Sequence, residues 1–247
     1  MNTVVPSGFS PEPDHGTIFA VDVVGFGRRT NPLQLEVRSA LYRMLSAAFD
    51  SAGVPWADCY REDRGDGALV LTPARVPKTL LLDRVLGGLV GEVCAQRTKD
   101  DARLRLKIAV HAGEFHRDEN GIAGFDVNHA FRILESDLLK SALSNSKADC
   151  AVVISDWVYQ SVVRHGYGAI NPAEFMSARV VNKEDESLVW LCIPGDARAA
   201  RKTVKKHASP GRAKPEPGSS VNIHSKGDVS MDNAVIGGRD VRVDQRR

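Results

Sequence analysis

The stretch FAVDVVGFG, residues 19–27, joins an apolar run carrying one carboxylate, Asp22, to a tight glycine-containing turn. Apolar side chains at consecutive rather than alternate positions describe a strand covered on both faces, and so central in its sheet. That strand is expected over residues 17–24. An aspartate in such a setting is costly unless something neutralises it. A divalent cation is the expected partner, because hard oxygen ligands suit Mg²⁺ or Mn²⁺. A second aspartate, Asp66, stands in RGDGALVL, residues 64–71, where a turn again meets an apolar strand. Two carboxylates on neighbouring strand ends are what a two-metal phosphoryl-transfer site requires.

Working outward, Leu33, Val37, Leu41, Met44, Leu45 and Ala48 recur at helical spacing and predict a helix over about 32–52, stopped by Gly53 and Pro55. Residues 57–62 and 66–72 read as a hairpin around Asp63–Arg64–Gly65. Pro77 can open a second helix running to about residue 97. RLRLKIAVHAGEF alternates as a strand over about 103–116. The order β-α-β-β-α-β predicts an α+β, ferredoxin-like fold with helices on one face of an antiparallel sheet. A polar hairpin (HRDENGIAG) follows, then a helix over 126–143, a strand at 150–154, a short helix from Asp156 and strands near 178–182 and 187–193.

Composition sets the domain limits. Residues 1–15 read as a flexible N-terminus, 16–194 as the globular domain, 195–220 as a basic, proline-containing linker, and 221–247 as a short β-prone tail. With 43% hydrophobic and 26% charged residues the chain is of globular type. The net charge of +2 is too small to make nucleic acid the main partner. The absence of an apolar run of about 18 residues argues against a membrane span. With no signal-peptide pattern either, the expected location is the cytoplasm. The four cysteines are widely spaced and read as reduced thiols, and the seven histidines show no metal-ligand spacing.

Three further groups carry chemistry. The backbone N–H groups of Phe26 and Gly27, opening onto the first helix, can cradle a phosphate. In GFDVNHAFRI, Asn128 and Arg132 are four apart and share a helix face. Asparagine can hold a ribose oxygen, and arginine can clamp a phosphoryl group as its charge shifts in the transition state.

In this order VDVVGFG, RGDGALVL, LKIAVHAGE and GFDVNHAFRILES resemble the four motifs of the class III nucleotidyl cyclases, over about residues 17–193. The resemblance implies that Asp22 and Asp66, with the backbone carbonyl of Val23, hold two Mg²⁺ or Mn²⁺ ions per site. It further implies that the ribose 3′-hydroxyl attacks the α-phosphate and releases pyrophosphate. Asn128 and Arg132 match the ribose-orienting and transition-state-stabilising residues, supplied across a head-to-tail homodimer with composite sites. The base-reading lysine of purine cyclases is replaced by Glu62, and the residue seven before the asparagine is Gly121. Tyr60, Arg61 and Glu62 instead supply a ring, a cation and a carboxylate at the expected nucleotide-binding pocket. The chain therefore looks most like the bacterial pyrimidine cyclases of Pycsar anti-phage systems, which signal to a separate cyclic-nucleotide-responsive effector. UTP giving cyclic UMP is the favoured reaction and CTP giving cyclic CMP the alternative. An adenylate or guanylate cyclase, or a catalytically silent binding module, stands behind them.

Overall fold

The computed structural model describes residues 12–96, 103–181 and 186–208. The strand that carries Asp22, β1 (Asp14–Val23), pairs antiparallel with β3 (Gly67–Pro73) on one side and with β4 (Leu106–Asp118) on the other. Its continuous apolar sequence is thereby explained, since both of its faces are covered. The hairpin partner of β3 is β2 (Tyr60–Asp63), an edge strand. Beyond β4, β6 (Cys150–Ser155) pairs in parallel, and β8 (Glu186–Cys192) and β7 (Met176–Val181) complete the order β2-β3-β1-β4-β6-β8-β7. A short β5 (Gly121–Ala123) folds back on β4 as the expected polar hairpin.

Strand alternation divides the core into two layers. Phe19, Val21 and Val23 of β1 pack with Leu41, Leu45 and Phe49 of α1 (Asn31–Ser51). They also meet α2, which winds through Lys78–Leu80, a π-type turn Leu81–Val85 and Leu86–Ala95. This is the ferredoxin-like βαββαβ core, with both helices on one face. On the opposite face Ile18, Leu69 and Leu71 receive Val127 and Ala130 of α3 (Phe125–Leu134). Ala20, Ala109, Ala151 and Val153 receive Leu138, Leu139 and Ala142 of α4 (Asp137–Ser144). The sheet is therefore covered on both sides.

Three expectations change. The single helix over 126–143 is two helices, because the Ser136 hydroxyl donates to the Ile133 carbonyl at 2.7 Å and accepts the Leu139 N–H at 3.4 Å, capping a new start. The flexible N-terminus loses Asp14 and His15 to β1, which begins three residues before the expected strand; residues 1–11 lie outside the described residues. The domain does not close at Pro194. Ala197–Ala208, read as the start of a basic linker, forms α6, with Ala200 and Thr203 buried against α4, β7 and β8. Asp196 caps it by accepting the Ala199 N–H at 2.9 Å. Its cations hid an apolar stripe made of small residues. The rest of the expected linker from residue 209, and the β-prone tail, lie outside the described residues.

Between α4 and β6 the chain is held by Arg105, the residue just before β4. The Arg105 guanidinium donates to the carbonyls of Leu143, Ala148 and Ser146 at 2.6, 3.0 and 3.2 Å, closing the C-terminal end of α4. Among the described residues, no helix is long and apolar enough to cross a membrane.

The domain boundary is testable by truncation. Ending the chain after Pro210 should leave the thermal midpoint within about 2 °C, whereas ending it after Pro194 should lower it by about 5–10 °C through loss of the α6 contacts. Equal midpoints in scanning calorimetry would return α6 to the linker.

Candidate active site

Asp22 stands one residue before the end of β1, in register with Gly67 of β3 and Lys107 of β4. Alternation points it to the face covered by α3 and α4, the side shared by Ala20 and Ala109. There the Lys107 ammonium lies 2.6 Å from Asp22 Oδ2 and 2.7 Å from Glu135 Oε1, just past the end of α3. The Asp22 and Lys107 side chains are 13% and 7% exposed, so this charge cluster is largely shielded from bulk water. Neutralisation of Asp22, expected from a divalent cation, is supplied within the chain by Lys107.

Burial raises the Asp22 carboxyl above its ordinary range; Lys107 draws it back down, and the charges of Asp66 and Glu135 push it up again. Burial alone would lower Lys107, but its hydrogen bonds to Asp22 and Glu135 outweigh that and hold it above its ordinary value. At 2.6 Å the ion pair decides the matter: the ammonium keeps its proton at neutral pH and the carboxylate stays ionised beside it.

Asp66 is exposed and sits in the hairpin turn, one residue before β3 rather than in it. Its carbonyl accepts the Val23 N–H at 2.9 Å, which ties the turn to the end of β1. With Asp22 in register with Gly67, the two aspartates are neighbours along the backbone, and the Asp66 charge raises the Asp22 pKa. Among the described residues no group of three or more His, Cys, Asp or Glu side chains converges to hold an ion. Two carboxylates and the Val23 carbonyl still fit Mg²⁺ or Mn²⁺, which take a few protein oxygens and fill their remaining positions with water and substrate phosphate. The exposure of Asp66 leaves room for those ligands.

Phe26 and Gly27 belong to a short 3₁₀ turn, Phe26–Arg28, that precedes α1 rather than to α1 itself. The first N–H groups of such a turn have no partner within it. Beside it a cleft of about 370 Å³ is lined by Asp22, Val24, Arg28, Lys107 and Lys140 among others, a predominantly cationic wall next to the carboxylates.

Asn128 and Arg132 lie on α3, a different element from either aspartate. Asn128 is exposed and Arg132 half-buried, its guanidinium 5.9 Å from the ring centre of the exposed Phe125. The immediate electrostatic neighbours of Asp22 are Lys107, Asp66 and Glu135.

The expected base trio is divided between the two faces of β2. Tyr60 and Glu62 are in register with Leu71 and Leu69 on the α3 face, whereas Arg61 is in register with Val70 on the α1 face. Arg61 is held there, hydrogen-bonded to the Trp56 carbonyl and 4.9 Å over its ring. The cations on the Tyr60 side are Arg117, 5.0 Å over the Tyr60 ring, and Arg64, 3.1 Å from Glu62 and 4.8 Å over Phe131. Gly121, at φ 125°, lies beside Glu62: a Cβ there would stand 3.2 Å from Glu62 Oε1. The two departures from the purine pattern are thus spatial neighbours.

Lys107, Glu135, Arg64 and Arg117 are the members of this region that sequence reasoning missed. Lys107 left a signal: a charged residue inside the apolar strand LKIAV raises the same question as Asp22 in its own strand.

No family model and no curated protein matches the sequence. Among solved structures, the chain is similar to the adenylate/guanylate cyclase/hydrolase from Silicibacter pomeroyi, at 22% identity and a TM-score of 0.53 over 74% of this chain and 98% of that one. The guanylate cyclase domain of RhGC from Catenaria anguillulae, in complex with GTP, gives 21% identity and 0.48 over 72% and 96%. The adenylyl cyclase CyaB from P. aeruginosa gives 15% identity and 0.48 over 74% and 95%. At such identities the likeness is one of fold, and the fold is the mixed α+β architecture of class III adenylyl and guanylyl cyclase catalytic domains.

Proposed function

We propose that this chain is a nucleotidyl cyclase acting on a pyrimidine nucleoside triphosphate, with UTP giving cyclic UMP and pyrophosphate. The observation that carries the cyclase reading is the meeting of Asp22 and Asp66 at one end of the sheet, beside a cationic cleft, in a cyclase-type fold. Asp22, Asp66 and the Val23 carbonyl would hold Mg²⁺ or Mn²⁺, two ions per site. Bound there, such ions would neutralise the triphosphate and lower the pKa of the ribose 3′-hydroxyl.

The remaining work falls to side chains. With Asp22 engaged by such ions, the Lys107 ammonium would keep Glu135 as its carboxylate partner and would be available as a counter-ion for phosphate oxygens in the cleft. Arg28 and Lys140 on the same wall add positive charge, and the N–H groups of Phe26 and Gly27 supply neutral donors. Asn128 orients the ribose. Arg132 stabilises charge as the 3′-oxygen, its proton passing to water, bonds to the α-phosphorus and the bond to the bridging oxygen breaks, sending both electrons to pyrophosphate. Both come from a second copy in a head-to-tail homodimer, so each pair of chains holds two composite sites.

The pyrimidine preference is supported by the contact between Glu62 and Gly121. The Glu62 carboxylate, beside Gly121 and on the same strand face as Tyr60, stands where the purine pattern has a cation. Arg64, paired with Glu62, supplies on that face the donor for a uracil carbonyl that was expected of Arg61. The same Glu62 could accept the amine of cytosine, and CTP is the second candidate. In this reading the product is a second messenger for a separate effector, the antiviral arrangement that the sequence resemblance implies.

Incubating the purified chain with Mn²⁺ and each of the four ribonucleoside triphosphates should give cyclic UMP as the dominant product, and chelation with EDTA should abolish it. Dominant cyclic AMP or cyclic GMP overturns the pyrimidine reading, and no product with any nucleotide overturns the enzyme reading. Composite sites make a separate prediction. Asp66→Ala and Arg132→Ala should each lower turnover by at least about 100-fold. An equimolar, fully exchanged mixture should recover about a quarter of wild-type activity, since half the dimers are mixed and each mixed dimer has one intact site. A mixture no more active than its components would mean that the two groups serve the same chain.

A further inference from the structure

One row of β4 side chains meets α3 at both ends. Lys107, Ala109 and His111 share the face of β4 on which α3 packs. Lys107 binds Glu135, just past the last residue of α3, at 2.7 Å. His111 Nε2 lies 3.1 Å from Asp126 Oδ1, in the first turn of α3. Four residues of strand and nine of helix both span about 13 Å, so two ionisable pairs fix the helix lengthwise against the strand.

The clamp at the first turn is built from several groups. His111 Nδ1 lies 2.7 Å from Ser155 Oγ, at the end of β6, and Ser155 Oγ accepts the Val158 N–H at 3.4 Å to start α5 (Asp156–Ser161). Asp126 Oδ2 accepts the Glu114 N–H at 2.7 Å. One pattern satisfies every member: the Ser155 hydroxyl donates to Nδ1, and Nε2–H donates to Asp126. Burial lowers the His111 pKa more than Asp126 raises it, so the ring is neutral at pH 7 and this tautomer is the stable one. His129 packs edge-on against His111 with ring centres 4.7 Å apart. The approach is close enough that a Cβ at Gly113 would stand 2.0 Å from Asp126 Oδ2.

We infer that His111 and Asp126 are positioning residues for Asn128 and Arg132: the chain Ser155–His111–Asp126 sets the axial position and rotation of α3, and with them the direction in which the Asn128–Arg132 face points. Neither His111 nor Asp126 is assigned to substrate. The inference rests on the role proposed for the Asn128–Arg132 pair. A helix face that serves another subunit gains nothing from contacts of its own with substrate until dimers form, so its aim must be set from inside its own chain. Misplacement of a reacting group by about 1 Å can cost about 100-fold in rate.

The test uses the full chain with UTP and Mn²⁺, and amide hydrogen exchange without nucleotide. Asp126→Ala should lower kcat by about 10–100-fold with KM nearly unchanged. Combined with Arg132→Ala it should add almost nothing to the loss from Arg132→Ala alone, because both changes remove the same action. Asp126→Asn should stay within about threefold of wild type, since its amide can accept from Glu114 N–H and donate to His111 in the other tautomer. Exchange across residues 125–134 should quicken by about tenfold in Asp126→Ala while α1 stays unchanged. Should Asp126→Ala fail to fold, His111→Phe, which keeps the ring and removes both hydrogen bonds, is read in the same way. Multiplied losses in the double variant, or unchanged exchange over 125–134, would overturn the inference. A wild-type chain that makes no cyclic nucleotide refutes the proposed function instead, and the exchange measurement still decides the clamp.

Discussion

Lys107 facing Asp22 across the β1–β4 ladder is the interaction on which the charge arrangement at this end of the sheet depends. Two central strands, each apolar enough to be buried on both faces, carry one charge apiece at paired positions. Without Lys107, Asp22 would be an unpaired ion in the sheet, at a cost of several kcal/mol. Together, and with Glu135 as a third partner, they form a cluster whose net charge is one negative unit before Asp66 is counted. Beside exposed Asp66 that leaves an excess of carboxylate. The same ammonium also lines the neighbouring cationic cleft.

The two faces of the sheet divide the labour. The α1–α2 face is apolar and continuous, and it claims Phe19, Val21 and Val23 along with the Arg61–Trp56 contact at its margin. The α3–α4 face is interrupted by ionisable residues: Asp22, Lys107, His111 and Glu62 all point to it. Each of them reaches a partner of opposite charge or a hydrogen-bonding side chain. Polar groups on a buried face are expensive unless satisfied, and satisfied ones fix geometry more sharply than apolar packing does. The paired charges of the sheet accordingly gather on the α3–α4 face.

Much of this was legible in the chain. The consecutive apolar residues of 19–24 announce a central strand, and the alternation of 104–110 its neighbour. The register of Asp22 and the position of Asp66 follow from the hairpin to within one residue. One error came from reading composition in place of periodicity, and another from following periodicity past a cap. In α6 the cations masked Ala200 and Thr203, and in 126–143 the helical pattern ran past Ser136, whose hydroxyl starts a second helix. A third came from reading neighbours in sequence as neighbours in space. Tyr60, Arg61 and Glu62 are consecutive, and in a strand consecutive side chains point to opposite faces.

The sequence by itself determined the order of the elements, the central strand and the placing of Asp22 and Asp66 near neighbouring strand ends, because these depend on local periodicity and on the cost of burying a charge. Tertiary structure decided which partner neutralises Asp22, which arginines stand beside Tyr60 and Glu62, and that β4 grips α3 at both ends. Those pairings join residues as far apart in sequence as Asp22 and Lys107. They depend on strand register and on which face a side chain occupies, and both are fixed only when the sheet and its helices pack together.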